Sequence, residues 1–109
     1  MQHTASILGK KPEVTSIDVQ FASSDQWYVG GRSMREQGCT TFYLDIKVTE
    51  GNNTKAEKAE YVDKVFADFE SILGAITAAS YIVIHDVRAD SWGFQGKTQE
   101  YRFIDAQSL

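Results

Sequence analysis

Tyr81, His85, Asp86 and Arg88 fall within one short stretch, YIVIHDVR, and carry the side chains of this sequence best suited to acid–base or anion chemistry. An imidazole takes or gives a proton near neutral pH, and a phenol can donate one. His85 and Asp86 are neighbours on a segment that reads as a strand, so their side chains point to opposite faces and cannot form a dyad with each other. The catalytic candidates are therefore His85 acting alone and Tyr81, set against a plainer role for His85 as a hydrogen-bonded structural histidine. Arg88, and Arg32 further upstream, could each grip an anionic ligand through a bidentate contact; the alternative is a surface ion pair. The two tryptophans, Trp27 and Trp92, could stack on a ligand or pin a subunit interface. Gly30-Gly31 follows a strand-like run but opens no helix, so it reads as a turn rather than a phosphate loop.

These residues need elements to hold them. Thr54 and Glu57 stand at the spacing of a capping box and Gly74 supplies a stop, which predicts a helix of about five turns between them. Its apolar positions, among them Val62, Val65, Phe66, Phe69 and Leu73, recur at three- and four-residue steps, and Phe66 and Phe69 are explained by core packing. Before the helix, Phe42, Leu44, Ile46 and Val48 alternate with Tyr43, Asp45 and Lys47, a strand with one buried face. After it, Tyr81 to Val87 reads as a second strand, which breaks at a Gly-punctuated turn and resumes as a β-type run through Phe103. Strand, helix and strand imply a crossover with the strands parallel and the helix across one face of the sheet. A third strand is expected at Val14 to Phe21. At a constant offset, Ile17, Val19, Asp25, Trp27, Gly31, Arg32 and Ser33 align with Ile82, Ile84, Asp90, Trp92, Gly96, Lys97 and Thr98, a partial internal duplication without a second helix.

With 109 residues the chain suffices for one domain, residues 13–109, behind a flexible leader at 1–12. A net charge of -4 with scattered lysines and arginines gives no pull toward nucleic acid. One cysteine, Cys39, allows no intrachain disulfide. His3 and His85 would need further ligands that no spacing proposes, so no metal site and no cofactor are expected. No apolar run approaches the roughly 20 residues that cross a bilayer, and the leader lacks a signal-peptide core, so no membrane partner and a cytoplasmic location are expected. One helix covers one side of a small sheet, so the other side calls for another subunit and a homo-oligomer.

Taken in order, TFYLDIKVTEG, the amphipathic helix and SYIVIHDVRADSWGFQG resemble one complete unit of the 4-oxalocrotonate tautomerase family. The pieces that carry the resemblance are the Glu50-Gly51 turn, the aliphatic strand ending in Asp86, and the Trp92-Gly93-Phe94-Gln95-Gly96 hairpin. It implies an α+β fold, a tautomerase-like β-α-β unit with parallel strands and one covering helix, here with an extra N-terminal strand and hairpin. It also implies an isomerase that moves a proton between carbon and oxygen of small enol or keto acids, working as a trimer or hexamer on a small anionic or carbonyl-containing molecule. In that family the base is an N-terminal proline at the start of the first strand. Phe42 holds that place here, and the sole proline, Pro12, lies in the leader. The family's two arginines fall at Asn52 and Tyr81, neither of which replaces a guanidinium. The resemblance thus leaves Trp92 in place beside Phe42, and with Arg88 and Arg32, the guanidiniums weighed above from the residues themselves, these are the expected ligand contacts, with weak or altered activity. The alternative is a non-catalytic small-ligand-binding or assembly protein on the same scaffold.

Overall fold

A reciprocal pair of hydrogen bonds starts the main helix. In the computed structural model, which describes residues 1–107, the Thr54 hydroxyl accepts from the Glu57 N–H and the Glu57 carboxylate accepts from the Thr54 N–H, a complete capping box. Helix α3 (Lys55–Leu73) runs from there until Gly74, at φ 81°, where a side chain would be strained. Strands β3 (Tyr43–Thr49) and β4 (Tyr81–Val87) flank it and pair in parallel, from Tyr43 opposite Tyr81 to Thr49 opposite Val87. An isolated parallel bridge joins Thr40 and Ile76 ahead of the ladder.

Alternation then sorts the side chains. Leu44, Ile46, Val48, Ile82 and Ile84 turn toward Tyr61, Val65 and Phe69 of α3 and form the core. Phe42, just before β3, is on the same side, 7% exposed and stacked on Phe69 with ring centroids 4.0 Å apart.

The first twelve residues are not a loose leader. Helix α1 (Gln2–Ser6) docks on α3: the Thr4 and Tyr61 hydroxyls share a hydrogen bond of 3.0 Å, His3 meets Asp68 at 2.6 Å, and Leu8 is only 3% exposed within the core. Asn53 donates to the Leu8 carbonyl and fastens the end of the segment. The segment also repeats a later one: Ser6-Ile7-Leu8-Gly9 reproduces Ser71-Ile72-Leu73-Gly74 at the same spacing as the later duplication, and both runs end in a glycine with positive φ.

The expected strand at Val14 to Phe21 is absent. Pro12–Val14 form a 3-10 turn, and residues 15–23 lie in no helix or strand. A strand needs a neighbour to satisfy its backbone, and none of the described residues supplies one.

The hairpins, by contrast, repeat in detail. Strands β1 (Tyr28–Val29) and β2 (Arg32–Ser33) pair as Tyr28 with Ser33, and β5 (Gly93–Phe94) and β6 (Lys97–Thr98) pair as Gly93 with Thr98. Both turn through two residues of positive φ, Gly30-Gly31 and Gln95-Gly96, as a two-residue hairpin with native twist requires. The Trp27 carbonyl accepts from Met34 and the Trp92 carbonyl from Gln99; Ser24 accepts from Arg35 and Ala89 from Glu100. Each hairpin opens a helix capped by its own hydroxyl. Ser33 caps α2 (Met34–Gln37) through Glu36, and Thr98 accepts from Tyr101 at the start of α4 (Gln99–Gln107). The β-type run expected to resume through Phe103 is therefore helical, because the Thr98 cap ends the hairpin there.

The second hairpin is also tighter than the first. A Cβ on Gly93 would stand 2.2 Å from the Lys97 carbonyl oxygen, whereas Tyr28 carries a side chain at the matching position. Gly93→Ala is expected to lower stability by about 1–3 kcal/mol, the usual cost of overpacking, read as a shift in the urea midpoint. An unchanged midpoint would contradict this crowding.

Candidate functional site

The sheet face turned away from α3 bears Tyr43, Asp45 and Lys47 of β3 and Tyr81, Val83 and His85 of β4. The register sets Tyr43 beside Tyr81 and Lys47 beside His85, which leaves Asp45 diagonal to the imidazole. His85 Nε2 lies 2.8 Å from Asp45 Oδ2, and Lys47 Nζ donates to Asp45 Oδ1 at 2.9 Å. Asp86 points the other way, to Lys58 of α3, as its place next to His85 requires. His85 thus has a carboxylate partner, supplied by the neighbouring strand. Sequence reasoning missed it because a diagonal contact depends on the register, which no spacing along one strand reveals. The cluster can orient an imidazole on an accessible face, while the two phenols lie four residues along the strands, about 13 Å away at about 3.3 Å per residue.

Arg88 follows β4 and is chelated by Asp90, through Nε at 3.2 Å and an Nη at 3.1 Å. That contact raises its pKa, with Glu50 and Glu100 adding to the effect. The cleft around it, about 230 Å³, is lined by Glu50, Asp90 and Glu100 as well as Arg88. Three carboxylates around one guanidinium oppose an anionic ligand. Arg32 is exposed on the first hairpin and lies 3.7 Å from Glu36. Trp92 is half-buried and lines a shallow depression of about 430 Å³ with Lys97 and Thr98; its indole N–H is buried with no hydrogen-bond partner among the described residues. Phe42 is buried in the core rather than lining either hollow. The candidates therefore separate into three places: His85 and Tyr81 on the open face, Arg88 and Trp92 around the turn after β4, and Arg32 on the other hairpin. Among the described residues no group of three His, Cys, Asp or Glu could hold a metal ion, and no helix is long and apolar enough to cross a membrane.

Hydrogen bonds hold three carboxyls below the usual range. Asp45 is lowered first by Lys47 and then by His85, Glu57 by the Thr54 N–H, and Asp90 by Arg88. A depressed folded pKa stabilises fully above the unfolded value, about 4, and that stabilisation is lost as pH falls through the folded value. The urea midpoint is therefore expected to fall on acidification below about pH 4. A midpoint that holds or rises from pH 5 to pH 3 would contradict these contacts.

A parallel β-α-β unit closed by a hairpin, with one helix over the sheet and a polar opposite face, defines an α+β protein of tautomerase architecture. The family model described as tautomerase enzyme matches residues 43–101, more than half of the chain, and the chain belongs to the tautomerase family. The solved structure of native fused 4-OT (4-oxalocrotonate tautomerase) is similar in fold, with a TM-score of 0.74 at 17% identity over 92% of this chain and 79% of that one. No curated protein matches the chain.

Proposed function

We propose that the chain is a keto–enol isomerase scaffold for small enol or keto acids, one in which the unit at residues 43–101 turns over weakly because no prolyl base stands at the start of β3. The observation that carries this is Phe42: the matched unit is whole from β3 through the second hairpin, yet the position just before β3 holds a buried ring without a basic nitrogen. On this reading residual proton transfer falls to His85, held by Asp45, with Tyr81 a separate candidate farther along β4. The protein works as a homo-oligomer, a trimer or hexamer, in which a neighbouring subunit would bring Trp92, and whichever of Arg88 and Arg32 is released from its carboxylate, to the open sheet face and so build the ligand site beside His85. The fused architecture of the similar structure fits the repeated hairpins seen here.

A second reading, a ligand-binding or assembly protein without catalysis, draws on the clamp of Arg88 by Asp90 and the acidic cleft around it. A steady-state ketonisation assay separates the two. The isomerase reading predicts a slow rate above buffer, and a rate equal to buffer at high protein concentration would leave only the second.

A further inference from the structure

Among the strand residues of the open sheet face Lys47 is the one lysine, and the register sets it beside the imidazole. Lys47 and His85 are direct partners across the parallel ladder, so their side chains leave the sheet on the same face about 4.8 Å apart, the spacing of neighbouring strands. Both are accessible. The Lys47 side chain is 58% exposed and that of His85 43%.

Asp45 holds the two in different ways. Its Oδ2 accepts from His85 Nε2, because an ionised carboxylate can only accept, and this fixes the ring proton on Nε2. The lone pair is then on Nδ1, which has no hydrogen-bond partner among the described residues. The other oxygen, Oδ1, takes a single hydrogen bond from Lys47 Nζ, which ends a flexible stem and has two further N–H groups to donate. The imidazole is oriented by this contact, whereas the ammonium is only tethered.

The charge around Lys47 also differs from that around Arg88. Asp90 holds Arg88 through two nitrogens, and Glu50 and Glu100 add negative charge, whereas Asp45 is the one carboxylate that pairs with Lys47 among the described residues. An anion that approaches His85 therefore meets a lysine free to turn toward it. Asp45 keeps its bond to the imidazole when Lys47 turns. In a 2-keto acid or its enol, the carboxylate carbon and the carbon that exchanges a proton are both bonded to the carbon that bears the oxygen. A cation and a base on adjacent strands are close enough to reach both groups at once.

We propose that Lys47 is the substrate anchor of the open face: its ammonium binds the carboxylate of a small 2-keto or 2-enol acid and holds the reacting group at His85 Nδ1. In ketonisation the enol O–H proton passes to Nδ1 and its bonding pair becomes the second C–O bond, while the C=C pair takes a proton back from Nδ1 at the neighbouring carbon. The ring ends as it began. An anchor of this kind selects acids over neutral carbonyl compounds, and it rests on the reading of His85 as the residual base.

The test compares an acid with its ester in the full chain. The probes are phenylpyruvate and its methyl ester, followed by the shift of the His85 ring resonances on titration and by steady-state ketonisation. Lys47→Met keeps an unbranched stem without the charge and Lys47→Arg restores a cation; the position is exposed, so neither should change the circular dichroism spectrum. The unaltered chain is expected to prefer the acid by about tenfold, the order of a hydrogen bond to a charged group, and Lys47→Met to lose that preference by weakening the acid and not the ester. Lys47→Arg should recover most of it. An equal effect on acid and ester would overturn the anchor, since a change that reaches His85 only through Asp45 does not tell them apart. So would a Lys47→Met protein that keeps the preference, or an unaltered chain whose His85 resonances ignore millimolar phenylpyruvate. A His85 shift that Lys47→Met abolishes, in a chain with no ketonisation above buffer, would support the anchor and overturn the isomerase reading alone.

Discussion

Ketonisation of a 2-hydroxymuconate-type or phenylpyruvate-type enol by the full chain should run about 10²- to 10⁴-fold below the rate that a well-placed general base supports. The reasons are positional. A base must have an accessible lone pair and a pKa near the working pH, and the start of β3 offers a phenyl ring instead. A substrate carboxylate also needs a free guanidinium, whereas Arg88 is matched by Asp90 and neighboured by Glu50 and Glu100. Charge developing on the enol oxygen therefore gains little from Arg88, whose guanidinium is already matched. Steady-state kinetics with purified protein measure this directly. Robust turnover by a chain with Met1 at its N-terminus would show that base and clamp come from elsewhere in the assembly.

Phe42→Ala should destabilise the fold by about 3–5 kcal/mol, the usual cost of removing a buried aromatic ring. The ring stacks nearly flat on Phe69, tilts against Phe66 at 5.8 Å, and sits where the first strand meets the end of the helix. Its loss would leave a cavity between two elements already fixed by the parallel ladder, so little collapse can fill it. Urea denaturation followed by tryptophan fluorescence gives the midpoint. A loss below about 1 kcal/mol would mean that Phe42 faces a ligand or a partner rather than the core, since core truncations of this size cost several times more.

Local signals account for much of this architecture. The Thr54–Glu57 box, Gly74 and the helical period of Val65 and Phe69 mark α3, and the alternation from Phe42 to Val48 marks β3, because caps and periodicity act over a few residues. The offset of the two hairpins was readable because a tryptophan, an aspartate and a glycine recur in order. Contacts between distant segments were not readable. Leu8 enters the core through α1, and the matching Ser6–Gly9 run stands apart from the next repeated residue, Ile17, so the duplication looked shorter than it is. Val14 to Phe21 has the pattern of a strand, but a pattern without a neighbour does not make a ladder. Asp45 reaches His85 only because Lys47 is in register with it, a fact of pairing rather than of composition. At the site, residue types name candidates, while the partners of Arg88 and Arg32 emerge only in three dimensions.

The claim that proton transfer has left the start of β3 for the open sheet face is tested most directly by the residual ketonisation rate of His85→Gln and Phe42→Ala beside the unaltered chain. His85→Gln keeps the size of the side chain and its hydrogen bonding toward Asp45 while removing the base. The account predicts that His85→Gln falls to the buffer rate at full stability, and that Phe42→Ala, corrected for its folded fraction, keeps the residual rate. A His85→Gln protein as active as the unaltered chain, or a Phe42→Ala protein inactive while folded, would contradict it.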